Sequence, residues 1–131
     1  MANMQTENKG RKVLVIDDSD IIRDIATQHL EAAGYVVREA CNGLDGLFLI
    51  KNEPFDIIIT DIIMPEKEGI ETLVEVRDMF PAMPIIAMSG VNDVYLKVAL
   101  KLGANAVLKK PFSGAELLQA VDRAFGTKGV Q

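Results

Sequence analysis

The sequence predicts an α/β domain, a parallel β-sheet with helices on both faces. Two observations carry this. Five short apolar runs alternate with five stretches whose apolar residues recur every three or four positions, and such alternation closes into a parallel sheet through right-handed crossovers. The first, third and fourth runs are apolar throughout rather than at every second residue, as in strands covered on both faces. At roughly 150 residues per domain, 131 residues make one domain.

The first strand is Val13-Leu14-Val15-Ile16, too short for a helix and rich in β-branched residues. Ile22, Ile25, Ala26, Leu30 and Ala33 then mark a helix, with Gly34 as the residue that ends it. Tyr35-Val36-Val37 is the second strand, and Leu44, Leu47, Phe48 and Ile50 mark the second helix. Ile57-Ile58-Ile59 follows, then a helix carrying Ile70, Leu73, Val74 and Val76 to Met79, stopped before Pro81. After the fourth strand, Ile85-Ile86-Ala87-Met88, the stripe Val94, Val98, Leu102 predicts a helix closed by Gly103. Ala106-Val107-Leu108 is the fifth strand. The last helix carries Leu117, Leu118, Val121 and Phe125 and is expected to end at Gly126. Its start is marked by Ser113-Gly114-Ala115-Glu116, a capping box in which Ser and Glu each satisfy an orphan backbone donor. The domain is placed at residues 12–126, between a polar N-terminal segment (1–11) and a short C-terminal tail (127–131).

Composition mostly excludes. With 49% apolar and 25% charged residues the chain is not of the disordered class. A net charge of -5, with no Trp, five Phe and two Tyr, argues against direct DNA binding, which needs basic phosphate contacts or stacking platforms. The single cysteine, Cys41, cannot form an internal disulfide. No apolar stretch resembles a signal sequence or reaches the 18 or so residues of a membrane span, so the expectation is a cytoplasmic protein with no membrane insertion.

In open α/β sheets chemistry sits outside the carboxyl ends of the strands, where strand order reverses. Asp17 and Asp18 follow the first run, Thr60 and Asp61 the third, Ser89 and Gly90 the fourth, Lys109, Lys110 and Pro111 the fifth. The second offers only Glu39, Ala40 and Cys41. If the first and third strands are neighbours, about 4.8 Å apart, Asp17, Asp18 and Asp61 nearly touch. Like charges about 4 Å apart repel by roughly 4 kcal/mol per pair at an effective dielectric of 20. Such a cluster needs a cation. Oxygen ligands favour Mg2+ over Zn2+, which would want His or Cys. Lys110 supplies a second positive charge. Asp20 and Asp45 read as loop acids or helix N-caps, His29 as a partly packed surface residue, and Cys41 as a small buried or loop residue.

These residues carry a resemblance. Asp17-Asp18 after the first strand, Asp61-Ile62-Ile63-Met64-Pro65 with Gly69 beyond, Ser89-Gly90 and Lys110-Pro111-Phe112 resemble the receiver domain of two-component response regulators. Glu39-Ala40-Cys41-Asn42-Gly43 resembles the family's stretch after the second strand, and the match runs from about Lys12 to Phe125. The resemblance implies a flavodoxin-like three-layer fold with strand order 2-1-3-4-5 and five helices. It implies Asp61 as phosphoacceptor, taking a phosphoryl group from a histidine kinase or histidine phosphotransfer protein. It implies Mg2+ held by Asp18, Asp61 and the backbone carbonyl of Ile63, with Asp17 acting through water. Lys110 and Ser89 would contact the phosphoryl group, and the Lys110–Pro111 bond would be cis. Such a protein is a signalling protein rather than an enzyme, promoting only its own phosphorylation and dephosphorylation. Because the sequence stops soon after Phe125, the expectation is a stand-alone receiver of the chemotaxis-regulator type, acting on a downstream effector protein by direct contact. A phosphorylation-dependent dimer is a further output the resemblance allows.

Three positions depart from the family pattern. Val107 stands where many receivers carry the Tyr or Phe of an aromatic switch. Ile63 and Val91, two residues after Asp61 and Ser89, flank the approach of the hydrolytic water in the family, and neither can orient it. A long-lived acyl phosphate is expected. Two rival readings start from the same acids. Asp18 and Asp20 resemble the nucleophile and acid of haloacid dehalogenase-type phosphatases, but the later acidic pair is missing and Ile22 replaces the expected Thr or Val. A flavodoxin-like FMN binder needs a hydroxyl- and glycine-rich phosphate loop, whereas Asp17-Asp18-Ser19-Asp20 would repel a phosphate.

Overall fold

The computed structural model describes residues 10–62, 68–91 and 93–129. The apolar runs form the strands β1 (Lys12–Ile16), β2 (Val36–Ala40), β3 (Ile57–Asp61), β4 (Ile85–Ser89) and β5 (Ala106–Lys109). All neighbours are parallel, in the order β2-β1-β3-β4-β5. The helices are α1 (Asp20–Ala32), α2 (Gly43–Asn52), α3 (Glu68–Met79), α4 (Asp93–Lys101) and α5 (Gly114–Gly129).

Alternation along each central strand divides the core. Val13, Val15, Ile57, Ile59, Ile86 and Met88 project to one face, where Ala26 and Leu30 of α1 and Leu117, Ala120, Val121 and Ala124 of α5 cover them. Leu14, Ile16, Ile58, Ile85 and Ala87 project to the other, beneath Ile50 of α2, Leu73 and Val76 of α3 and Leu96 and Ala99 of α4. Both faces are dry, so both residue sets must be apolar, and each such side chain contributes about 1.5–3 kcal/mol when fully buried. This is why the central runs are continuous.

Several expectations need correction. The second strand is longer and shifted, because β2 is a sheet edge whose Val36, Arg38 and Glu39 are exposed; Glu39 and Ala40 belong to the strand rather than to the loop after it. In α2 only half of the stripe is covered: Ile50 is buried and Leu47 packs against the core, while the other two members face outward. Leu44 and Phe48 are 73% and 65% exposed, and the packed face is Gly43, Gly46 and Ile50. In α4, Val94 and Val98 are likewise exposed, as is Leu102 just beyond its end, and Leu96 and Ala99 are buried. The caps also differ. Ser19 Oγ accepts from the Ile22 amide (3.3 Å) and Asn42 Oδ1 from the Asp45 amide (2.8 Å). Asp20 and Asp45 therefore sit in the first turns, where their charge favours the helix dipole.

The capping box of α5 forms as read: Ser113 N donates to Glu116 Oε1 (2.9 Å) and Glu116 N to Ser113 Oγ (3.1 Å). That helix continues past Gly126 to Gly129, since an exposed helical glycine costs only about 1 kcal/mol. Gly34 and Gly103 adopt left-handed φ values of 100° and 115° after α1 and α4, as their chain-reversing positions require. Cys41 is exposed and His29 lies on the surface, its ring against the backbone of Gly114.

Candidate functional site

β2 and β3 lie on opposite sides of β1, so strand order reverses between β1 and β3. Register then fixes what meets there. Ile16 pairs with Thr60, which brings Asp17, the next residue, level with Asp61. Asp61 pairs with Met88 and Ser89 with Lys109, so Ser89 and Lys110 stand on the same edge. Lys110 N donates to the Ser89 carbonyl (2.9 Å), and the Lys110–Pro111 peptide is cis.

Asp17 is wholly buried. Its amide donates to the Ala40 carbonyl (3.1 Å) and its Oδ1 accepts from the Ser19 amide (2.9 Å). Its Oδ2 lies 2.7 Å from Lys110 Nζ, a Coulombic contact, and has no aligned hydrogen-bond donor among the described residues. Lys110 Nζ also donates to Asp61 Oδ2 at 3.1 Å. Burial pulls the Lys110 pKa down, but Asp17 and Asp61 outweigh it, and the ammonium is held above its ordinary 10.5.

Asp18 is exposed at the rim, and carboxylate oxygens of Asp17, Asp18 and Asp61 all lie within 4.8 Å of one another. Among the described residues, the Lys110 ammonium pairs with two of these three carboxylates, Asp17 and Asp61. The donor set is hard oxygen, and the buried Asp17 Oδ2 lacks an aligned donor. A divalent cation of the Mg2+ class fits both facts.

Ser89 is buried at the end of β4, and its Oγ accepts from the Val91 amide (3.2 Å). Val107 is half-buried in β5 against the α2–α3–α4 side of the core, and Val91 is exposed. Ile63, Met64 and Pro65 lie outside the described residues. Asp20, the acid the phosphatase reading requires, is exposed and paired with Arg23.

Two supporting contacts were not assigned a role from sequence. Gly69 in α3 lies directly on the backbone of Asp61 and Ile62: a Cβ there would fall 2.4 Å from the Asp61 carbonyl oxygen. Arg23 in α1 reaches back to the loop after β1, donating to the Asp17 carbonyl (2.7 Å). The glycine in the motif hinted at the first; Arg23 falls on a helix with no motif around it.

The model of the response regulator receiver domain matches residues 13–122. The chain belongs to the response regulator receiver family. Solved receivers share its fold. The receiver domain protein from Methanospirillum hungatei superposes with a TM-score of 0.84 at 31% identity, covering 92% of this chain and 98% of that one. The chemotaxis response regulator CheY4 of Vibrio cholerae gives 0.80 at 32% identity, covering 88% and 99%. A probable transcriptional regulator, ycf27, of Cyanidium caldarium is 36% identical over 136 residues. That alignment takes in 98% of this chain and 54% of the relative, so this receiver spans about half the length of that regulator. Among the described residues no helix is long and apolar enough to cross a membrane.

Proposed function

We propose that this receiver takes a phosphoryl group onto Asp61 from a phosphohistidine of a histidine kinase or histidine phosphotransfer protein, in a Mg2+-dependent reaction in the cytoplasm. It then signals by contact with a downstream effector protein. The observation that supports this is the Lys110 ammonium bridging Asp17 and Asp61 inside a cluster of three carboxylates at the switch point.

Asp61 is the nucleophile in this reading. An oxygen of its carboxylate forms the new P–O bond as the P–N bond of the donor breaks, and the electron pair of that bond stays on the departing imidazole nitrogen. The step needs in-line positioning and neutralised phosphoryl charge more than covalent assistance. Asp17, Asp18 and Asp61, with the Ile63 carbonyl, would hold the magnesium ion, which supplies positive charge to the phosphoryl oxygens. Lys110, already beside Asp61, supplies the other cation. Ser89 accepts from the Val91 amide through its oxygen, which leaves its hydroxyl hydrogen to donate to a phosphoryl oxygen.

The test is transfer of radiolabelled phosphate from an autophosphorylated histidine kinase. Wild-type protein with Mg2+ is expected to acquire acid-stable, base-labile label, lost with EDTA and in Asp61→Asn. Label retained by Asp61→Asn would overturn the assignment. The same label measures lifetime. In receivers the positions of Ile63 and Val91 flank the approach of the hydrolytic water, and both are apolar in this sequence, so Ile63→Asn is expected to speed decay about tenfold, the equivalent of one added hydrogen bond of about 1.4 kcal/mol. An unchanged decay rate would show that these positions do not govern hydrolysis.

A further inference from the structure

We propose that Arg23 is a positioning residue for divalent-cation binding, holding the peptide between Asp17 and Asp18, and through it the Asp18 carboxylate, where the cation needs it. This rests on the Mg2+ reading above.

Arg23 is on α1, one turn after the acids, and its side chain is only 12% exposed. Its guanidinium makes three directed contacts. Nη1 donates to the Asp17 carbonyl at 2.7 Å, Nη2 is bound to Asp20 Oδ1, and Nε donates to Glu39 Oε1 at 3.2 Å. Glu39 is fixed in turn by the Thr27 hydroxyl, which donates to its Oε2 at 2.7 Å. The loop after β1, helix α1 and edge strand β2 are thereby joined through one planar fork. Lysine has no such fork, being a point charge on a flexible stem.

The acids differ in what holds them. Asp17 is fixed by its own carboxylate and amide contacts to Ser19, Ala40 and Lys110. Asp18 is exposed, and its carboxylate makes no hydrogen bond among the described residues. Its direction is set by the backbone that carries it, and the Asp17 carbonyl that Arg23 grips belongs to the peptide leading into Asp18. Groups that orient metal ligands from outside the coordination sphere typically change affinity 10- to 100-fold when mutated.

Charge alone predicts the opposite sign. Arg23 carries a positive charge near a cation site, so removing it should tighten binding. Arg23→Lys keeps the charge and removes the fork. In calorimetric Mg2+ titrations at a temperature where both proteins are folded, Arg23→Lys is expected to raise Kd about tenfold or more. The Asp18 amide nitrogen resonance, bonded to the gripped carbonyl, should shift in the metal-free variant. Arg23→Met should also raise Kd, because loss of positioning outweighs loss of repulsion. An unchanged or lowered Kd in Arg23→Lys would overturn the inference, whatever its effect on melting temperature. Wild-type protein that binds no Mg2+ would overturn the proposed function instead. Should Arg23→Lys fail to fold, Glu39→Ala, which frees the Nε anchor, is expected to raise Kd several-fold, and an unchanged Kd there overturns the inference equally.

Discussion

Lys110→Met is expected to lower the stability of the metal-free protein by about 3–5 kcal/mol, the range for removing one partner of a buried ion pair. The size follows from what is left behind. Asp17 is wholly buried and Asp61 nearly so, and the Lys110 ammonium lies 2.7 Å from Asp17 Oδ2 and 3.1 Å from Asp61 Oδ2. Methionine fills similar volume, so the loss is of charge rather than packing. For a domain of this length the melting temperature should fall by roughly 10–20 °C. Two controls give the effect its cause. Asp17→Asn in the Lys110→Met background should restore much of the stability, because it removes the charge left uncompensated. Millimolar Mg2+ should restore more stability to the variant than it adds to wild type, since the cation meets no competing ammonium. The pH dependence has a definite sign. Lys110 is held above its ordinary 10.5, so its contribution is complete below that value and is lost only as pH rises through the higher folded value. The gap between the two proteins should therefore stay constant against Lys110 titration through neutral pH and close in strong alkali. A variant as stable as wild type without metal would show that the carboxylates are not relying on Lys110. Labelling from a kinase should fall with the same substitution, because Lys110 is also a cation beside the attacking carboxylate.

The central sheet and its acids were legible for one physical reason. A parallel strand buried on both faces must be apolar at every position, so β1, β3 and β4 stand out, and polar residues resume where each strand leaves the core. Asp17, Asp61 and Ser89 fall at those exits. Where one side is wet the signal fades. β2 keeps Arg38 and Glu39 inside the strand because it is an edge. Leu44 and Phe48 on α2, and Val94 and Val98 on α4, keep helical spacing but face outward, and periodicity does not say which face of a helix is covered. Long-range polar contacts leave no local trace at all. Arg77 donates to the carbonyls of Gly103, Phe80 and Pro81 and to Asn105 Oδ1, tying the end of α3 to the turn before β5. Nothing around Arg77 in sequence distinguishes it from a surface arginine, and Arg23 was missed for the same reason.

Gly69→Ala is expected to cost about 3 kcal/mol, at the upper end of what overpacking usually costs, and to impair labelling at Asp61 beyond what lost stability explains. The added Cβ would lie 2.4 Å from the Asp61 carbonyl oxygen and 2.5 and 2.6 Å from the Ile62 Cα and carbonyl carbon. These are backbone atoms, so no flexible side chain can swing aside. Either α3 lifts away, uncovering Leu73 and Val76, or the end of β3 yields. Moving β3 is opposed by its pairing with β1 and β4 and by the Ile62 amide, which donates to the Met88 carbonyl at 3.0 Å. Both routes strain the backbone that carries Asp61. The stability loss is read by denaturant titration, and an Ile58→Val variant provides the control: it weakens the same core without touching the strand end, at a typical cost of about 0.5–1.5 kcal/mol. If labelling, measured where every protein is fully folded, is impaired in Gly69→Ala but normal in Ile58→Val, the close contact at Gly69 sets the position of Asp61. If Gly69→Ala labels at the wild-type rate, α3 has moved instead, and the glycine serves packing alone.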